Sequence, residues 1–385
     1  MNDHNLQFNI AESQMTLRFR SGEDQERALL EQIGKTVIVD RLVPPSATHF
    51  FFNEKETTVQ IAYGFGTQAQ TAYKIHPHAL NQLCSKVSLP MAYANMLQVG
   101  DSWKKELFVH NLNELFHQPA WIDRDGSPTR FLHRLVGNEL RGFLSRRYNR
   151  HLASAPLLRA FTDQCRSEGA RPIEALNTPV RSALKTLLPT VFEAFPGEYI
   201  CLGVEWSNSD FGSGKLKVMQ TVWRVGSGTS AVLDEGMAKA HIGSIIQDSD
   251  LEVSDETAQK EVAAQQSAVR DHVRQYLSEK TIDRMLTAIR SARDQQIPWG
   301  SLRTRLKDIL GKGDLDWLQS VLDQKGSSII DLPPISFTAD GAPVPNAYWA
   351  SSAVSFFAAK TEDQDRKLDL QREAGKLLAA ALAAA

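Results

Sequence analysis

The chain has 385 residues, 42% of them hydrophobic and 23% charged, values that exclude global disorder and predict sizeable buried cores. That length exceeds what one hydrophobic core serves, so two or three structural units are expected. A formal net charge of −2 excludes a histone-like basic protein, and any polyanion must therefore be met by local segregation of charge.

Three cysteines, Cys84, Cys165 and Cys201, lie far apart without a Cys-x-x-Cys pair, which supports neither a disulfide framework nor a zinc knuckle. The amino terminus is polar and shows no secretory pattern. No window approaches the roughly 20 apolar residues of a membrane span. These features predict a cytoplasmic protein that makes no membrane contact.

From Thr16 to Phe65 the signals are of β type: Thr36–Val39, Thr48–Phe52 and Thr57–Tyr63 read as strands around a Leu42–Ser46 loop. His76–Pro77–His78 brings two imidazoles close together, but nothing nearby completes a metal shell, so it reads as a helix-leading turn. Leu80, Leu83, Cys84 and Val87 then fall at helical spacing, and Pro90 divides the stretch to Leu97 into two short helices. Trp103–Phe116 predicts an amphipathic helix closed at Gln118–Pro119. His110 and His117 share a face of it without further ligands in sequence.

Arginine is then concentrated. Arg124, Arg130, Arg134, Arg141, Arg146, Arg147, Arg150 and Arg159 are opposed only by Asp125 and Glu139, with Phe131, Phe143 and Tyr148 interleaved. Gly137–Asn138 is a turn signal, so the segment reads as a hairpin with Arg130, Leu132 and Arg134 on one face of its first strand. Guanidinium forks beside aromatic rings suit phosphates and stacked bases. The same pattern also suits a solvated strand face with salt bridges to neighbours elsewhere in the fold.

Further on, Pro156–Ser167 reads as a helix and Tyr199–Trp206 as a buried strand. After Gly212–Ser213–Gly214, the alternation over Lys215–Val225 predicts a second hairpin. Gly212–Lys215 and Gly226–Thr229 lack phosphate-loop spacing and read as turns; Lys215, Lys217 and Arg224 would extend a basic surface. Past a boundary near Asp248–Ser254, Ser254–Thr257 offers caps for a long helix to about Arg293. Two helices around Gly311–Lys312–Gly313 and an extended Leu332–Pro345 follow. In the Asp363–Ala385 tail, a helix former, Leu370, Leu377 and Leu378 are available to a partner. Asp234, Glu235 and His241 come nearest to an acid/base or metal cluster and read as a surface helix. No catalytic residue, metal ligand or cofactor is assigned.

Several of these motifs, in this order, resemble a phage- and plasmid-borne family, the domain-of-unknown-function 932 family. They are His78–Leu83 followed by Leu89–Tyr93, then Leu140–Tyr148, Ser207–Gly214, Trp223–Arg224, Glu235–Met237 and His241–Gly243. The resemblance spans roughly His78 to Gly243. Members often carry a Cys-Asn-Gly-type element where this chain has Leu233–Met237, so no role resting on that cysteine carries over. The resemblance implies a mobile-element setting and a role around DNA maintenance or recombination.

The expected fold is α+β: a mixed β-hairpin core with short helices, plus a helical C-terminal unit. The units are 1–120, an N-terminal α+β unit, 121–248, a central two-hairpin domain, and 249–385. The leading functional expectation is a non-catalytic protein that binds single-stranded DNA without strong sequence preference in recombination, annealing or maintenance. Arg130, Arg134, Arg141, Arg146, Arg147 and Arg150 would hold phosphates, with Phe143 and Tyr148 stacking or supporting them. A homo-oligomer would form through the C-terminal helices. The alternatives are a mobile-element module that binds or inhibits a host protein, and a metal-dependent nuclease using Asp210, Asp234 and Glu235.

Overall fold

The structure is a computed structural model that describes residues 3–64, 71–99, 101–117, 121–122, 126, 129–150, 152–239, 254–323, 332–333, 335–339 and 341–382. Helix α1, Asp3–Lys35, occupies the beginning of the stretch expected to be β-type. Its buried positions Ala11, Met15, Phe19, Gly22, Glu26 and Leu29 recur every three or four residues, a helical stripe that the β-type signals further on had masked. Gly22 is on that stripe because a Cβ there would lie 2.2 Å from the Pro172 carbonyl oxygen.

The expected strands follow as β1 (Ile38–Val43), β2 (Thr48–Asn53) and β3 (Thr58–Tyr63), with β4 at Ala72–Ile75. Pro90 separates α2 (Pro77–Lys86) from α3 (Met91–Gln98), and α4 spans Ser102–Phe116. The arginine segment forms a hairpin, β5 (Phe131–Val136) and β6 (Glu139–Ser145), around the expected Gly137 turn, where φ is +57°. These strands form one sheet in the order β1-β5-β6-β4-β3-β2. It curls: Arg41 of β1 reaches Tyr63 of β3 and Tyr73 of β4, its guanidinium 5.0 and 5.2 Å from their ring centres. Helices α2 to α4 cover one face around Phe50, Ile61, Leu83, Phe108, Leu112, Phe116 and Phe143. The Asn113 amide satisfies both the N–H and the C=O of Phe50 on edge strand β2, at 2.9 and 2.7 Å.

After α5 (Ser154–Ser167) come β7 (Arg171–Asn177), β8 (Ser182–Leu187), β9 (Phe192–Phe195), β10 (Glu198–Asn208), β11 (Leu216–Arg224) and β12 (Thr229–Lys239). They build a second, antiparallel sheet, β12-β11-β10-β8-β7, with β9 beside β10. Strands β7 to β9 occupy a stretch to which the sequence patterns assign no element. The two hairpins expected to share residues 121–248 lie in different sheets.

The long helix expected to about Arg293 is two helices, α6 (Asp255–Tyr276) and α7 (Glu279–Asp294). Ser254 caps α6 by accepting from Thr257 N at 3.3 Å. The break falls where the Ser278 and Thr281 hydroxyls both donate to the Gln275 carbonyl, at 2.7 and 2.8 Å, offering the backbone an alternative to helical bonding. Gly311 separates α8 (Trp299–Lys307) from α9 (Lys312–Asp323); α10 (Ala347–Lys360) and α11 (Gln364–Leu382) complete an α+β fold. The boundary stretch expected at 248–254 lies, up to residue 253, outside the described residues.

Leu370, Leu377 and Leu378 of α11 are 4%, 2% and 2% exposed and pack within their own chain. Val269, Val273 and Tyr276 of α6 are likewise buried, against α5 and the second sheet. An apolar helical stripe reads alike whether it faces a partner or its own core, and here it faces the core, so these residues give no oligomer interface. No helix among the described residues is long and apolar enough to cross a membrane.

A buried charge network fixes α11 on the second sheet. Lys185, 1% exposed, donates to Glu174 and Gln371 at 2.6 Å each, and its ammonium lies 3.5 Å from Glu205. Lys367 also pairs with Glu174, and Arg372 lies 3.7 Å from Glu205 while donating to Ser207 Oγ at 2.8 Å. Gly375 permits the approach, since a Cβ there would lie 1.8 Å from the Val232 carbonyl oxygen. Gly375→Ala is expected to cost about 1–3 kcal/mol by overpacking. Gly300→Ala, at an open position of α8, should be neutral or stabilising by up to about 1 kcal/mol; urea unfolding midpoints distinguish the two.

Burial alone would raise the Glu174 carboxyl, but the Lys185 and Lys367 ammoniums override it and hold it at about 2, well below the usual carboxylate range. Its contribution to stability is therefore present above pH 4.5 and lost as pH falls toward about 2. Acid titration of a Glu174→Gln variant should show a shallower loss of stability over that window than the parent chain.

Candidate nucleic-acid interface

The connection between β10 and β11, Ser207 to Gly214, holds the site together. Ser209 Oγ donates to the Val180 carbonyl at 2.6 Å and accepts from Phe211 N and Ser213 N at 3.2 and 2.8 Å. Asn208 Nδ2 donates to the Leu152 carbonyl and Ser154 Oγ. Asp210 Oδ1 accepts from Ser154 N at 3.0 Å, satisfying one of the first-turn donors of α5. Tyr148 donates to the Ser209 carbonyl at 2.8 Å. Arg134 donates through Nε to Asp40 at 2.8 Å and through its terminal nitrogen to the Asp210 carbonyl. From α2, the His78 and Gln82 side chains both donate to the Phe211 carbonyl, at 3.1 and 2.9 Å. Gln82 also accepts from Phe143 N at 2.8 Å. Three motifs of the family resemblance, far apart in sequence, thus meet at one connection.

The expected arginine face does not form as a single surface. Strand β5 is buried on both faces, so Arg134 is only 5% exposed and is occupied by its ion pair with Asp40. Arg224 is buried too, donating to both oxygens of Glu198 at 2.6 and 3.0 Å, with Tyr348 donating to the same carboxylate at 2.7 Å. Arg141 is half-buried and donates to Glu139 at 2.7 Å. Phe143, expected to stack on bases, is 1% exposed, its ring centre 5.0 Å from Phe131 and 4.7 Å from His133. Arg130, just before β5, and Arg147 and Arg150, just after β6, are exposed; Arg146 and Tyr148 are half-buried. Lys215 is exposed and Lys217 half-buried. Arg124 and Asp125 lie outside the described residues, as do Gln118–Pro119.

A cleft of about 420 Å³ opens between α2 and the end of β6, lined by His78, Asn81, Gln82, Ser85, Lys86, Phe143, Leu144, Ser145, Arg147 and Tyr148. It exists because β4 pairs with β6 only at Glu139 and Leu140; past them α2 replaces a neighbouring strand. Lys86 and Arg147 are exposed cations, and no carboxylate is among the lining residues. Three of the wall residues, His78, Gln82 and Lys86, recur every four positions and so share one face of α2. That spacing was the available signal for Lys86, which the concentration of arginine further along overshadowed. His76 is the turn residue expected: its Nδ1 accepts from His78 N at 3.1 Å and caps α2.

Other chemistry-bearing groups are occupied structurally. His133 is fully buried with Nδ1 2.9 Å from the Tyr63 hydroxyl; burial, and then the Arg41 charge, push its imidazole down to about 3. Burial raises the Asp210 carboxyl while Arg134 opposes the rise. The side chains of Asp234 and Glu235, and His241 entirely, lie outside the described set. No group of three or more metal-ligating side chains comes together among the described residues.

No protein-family model, curated protein or solved structure matches the chain. The likeness to the domain-of-unknown-function 932 family therefore rests on its motifs alone.

Arg134→Met should leave Asp40 unpaired and cost about 3 kcal/mol of stability, read as a lowered urea midpoint. A phosphate ligand would instead lose affinity at unchanged stability.

Proposed function

We propose that the cleft between α2 and β6 binds the phosphate backbone of single-stranded DNA, and that the chain acts without strong sequence preference in DNA recombination, annealing or maintenance. The phage or plasmid setting comes from the family resemblance. The observation that carries the reading is the pairing of Lys86 and Arg147 on walls without a carboxylate. Guanidinium and ammonium groups on polar walls attract phosphate without reading sequence. A cleft of about 420 Å³ has room for a phosphate and its sugar. Arg130, Arg150 and Lys215, exposed elsewhere on the surface, would add long-range attraction. Tyr148, at the cleft wall, is the aromatic that a base could meet.

The alternative, a protein-interaction module, is favoured by one observation. Met96, Val99 and Trp103, close in sequence at the α3–α4 corner, are 56%, 75% and 57% exposed, and grouped exposed apolar residues mark interaction sites.

Fluorescence anisotropy with labelled single- and double-stranded oligonucleotides across a salt series tests the proposal. Single strands should bind more tightly, with log K falling by about 0.7 per decade of salt for each phosphate contact. The double variant Lys86→Glu, Arg147→Glu should weaken binding at least about tenfold and flatten the slope by more than one contact. Unchanged affinity in a folded double variant would overturn the reading.

A further inference from the structure

We infer that His78 is a third phosphate ligand of the cleft, one that takes up a proton from solvent as the anion docks, so that nucleic-acid binding tightens as pH falls. This inference rests on the reading of the cleft as a phosphate site.

The geometry fixes which nitrogen is concerned. His78 lines the cleft, and its Nε2 is 3.1 Å from the Phe211 carbonyl oxygen. A carbonyl only accepts, so Nε2 carries the hydrogen in both charge states of the ring. The proton gained on charging therefore goes to Nδ1, which has no hydrogen-bond partner among the described residues. Unlike His133, whose ring is closed in by Tyr63 and Phe143, His78 is half-buried at a cavity wall.

The surroundings hold the ring neutral until an anion arrives. Burial lowers its tendency to charge, and the neighbouring His76 and Arg181 act in the same direction, while the Phe211 carbonyl and Asp365 act against them. Lys86 on α2, and Arg147 and Tyr148 beyond β6, are the other charged or titratable groups lining the cleft. A phosphate brought in by those two cations adds negative charge next to a ring that is ready to accept a proton. The sign follows: the bound state holds the proton more tightly than the free state. The gain in affinity is complete below the free-state titration and is lost as pH rises through the bound-state titration.

The test measures the affinity of the full chain for a labelled oligothymidylate, whose bases do not titrate in this range, between about pH 5.5 and 8 at fixed salt. The affinity of the unmodified chain should rise by about three- to tenfold toward the acid end, tenfold corresponding to one unit of displacement between free and bound titrations. His78→Gln, which keeps an N–H able to reach the Phe211 carbonyl, should bind with a flat pH profile, and His76→Gln should keep the slope. If His78→Gln fails to fold, NMR titration of the His78 ring in the unmodified chain replaces it. The ring should titrate at higher pH with the oligonucleotide than without. A slope retained in folded His78→Gln, or an unchanged ring titration, overturns the inference and leaves the cleft reading standing. Absence of binding at every pH overturns both.

Discussion

The arrangement of the whole site depends on one short connection, Ser207 to Gly214, which receives hydrogen bonds from both sheets. The first sheet reaches it through Arg134 of β5, its covering helix α2 through His78 and Gln82, and the segment after β6 through Tyr148, while the second sheet contributes it directly as the link between β10 and β11. Its own shape comes from Ser209, whose hydroxyl answers two backbone N–H groups while donating to a third segment. Buried backbone groups in an irregular connection must find partners somewhere, and here they find them on elements from both sheets. The requirement to satisfy one loop thereby sets where α2 stands relative to β6, and so sets the width of the cleft. Gly212, at φ +78°, permits the left-handed turn on which that loop depends.

Burial separates the cations of the structural ion pairs from those at the cleft wall. Arg134, Arg224, Lys185 and Arg372 are inside or nearly so, each beside a carboxylate, where removing one partner leaves an uncompensated charge. These pairs hold sheets and helices in register. Lys86 and Arg147 stand at a cavity wall without a carboxylate beside them in the lining, which is what a soluble anion requires. A formal net charge of −2 is compatible with polyanion binding only through this kind of separation.

Much of the fold was legible where local chemistry is decisive. Pro90 divided two helices, Gly137–Asn138 turned the first hairpin, Ser254 began α6, and Gly311 separated α8 from α9. What was not legible depends on tertiary context. Strand β8 carries no alternation because it is buried at every position, including Lys185 and Thr186, and burial along β7 and β9 follows no period of two. Helix α10 is apolar nearly all round, with Ser351, Ser352 and Ser355 buried, so no single stripe announces it. The arginine segment was correctly read as a hairpin, yet sequence could not say that Arg134 would point at Asp40, a residue 94 positions earlier. The concentration of arginine lies beside the proposed cleft, with Arg147 in its lining. The cleft's other wall, on α2, was visible only as a four-residue spacing.

The most direct test of the account is where single-stranded DNA touches the chain. Photocrosslinking of a bromodeoxyuridine-substituted oligonucleotide, with the crosslinked peptides mapped by mass spectrometry, reports this without any substitution in the protein. The account predicts crosslinks within α2, between His78 and Lys86, and within Ser145–Tyr148. Crosslinks confined to other surfaces, such as the exposed Trp103 corner, or none above a no-light control, would contradict it.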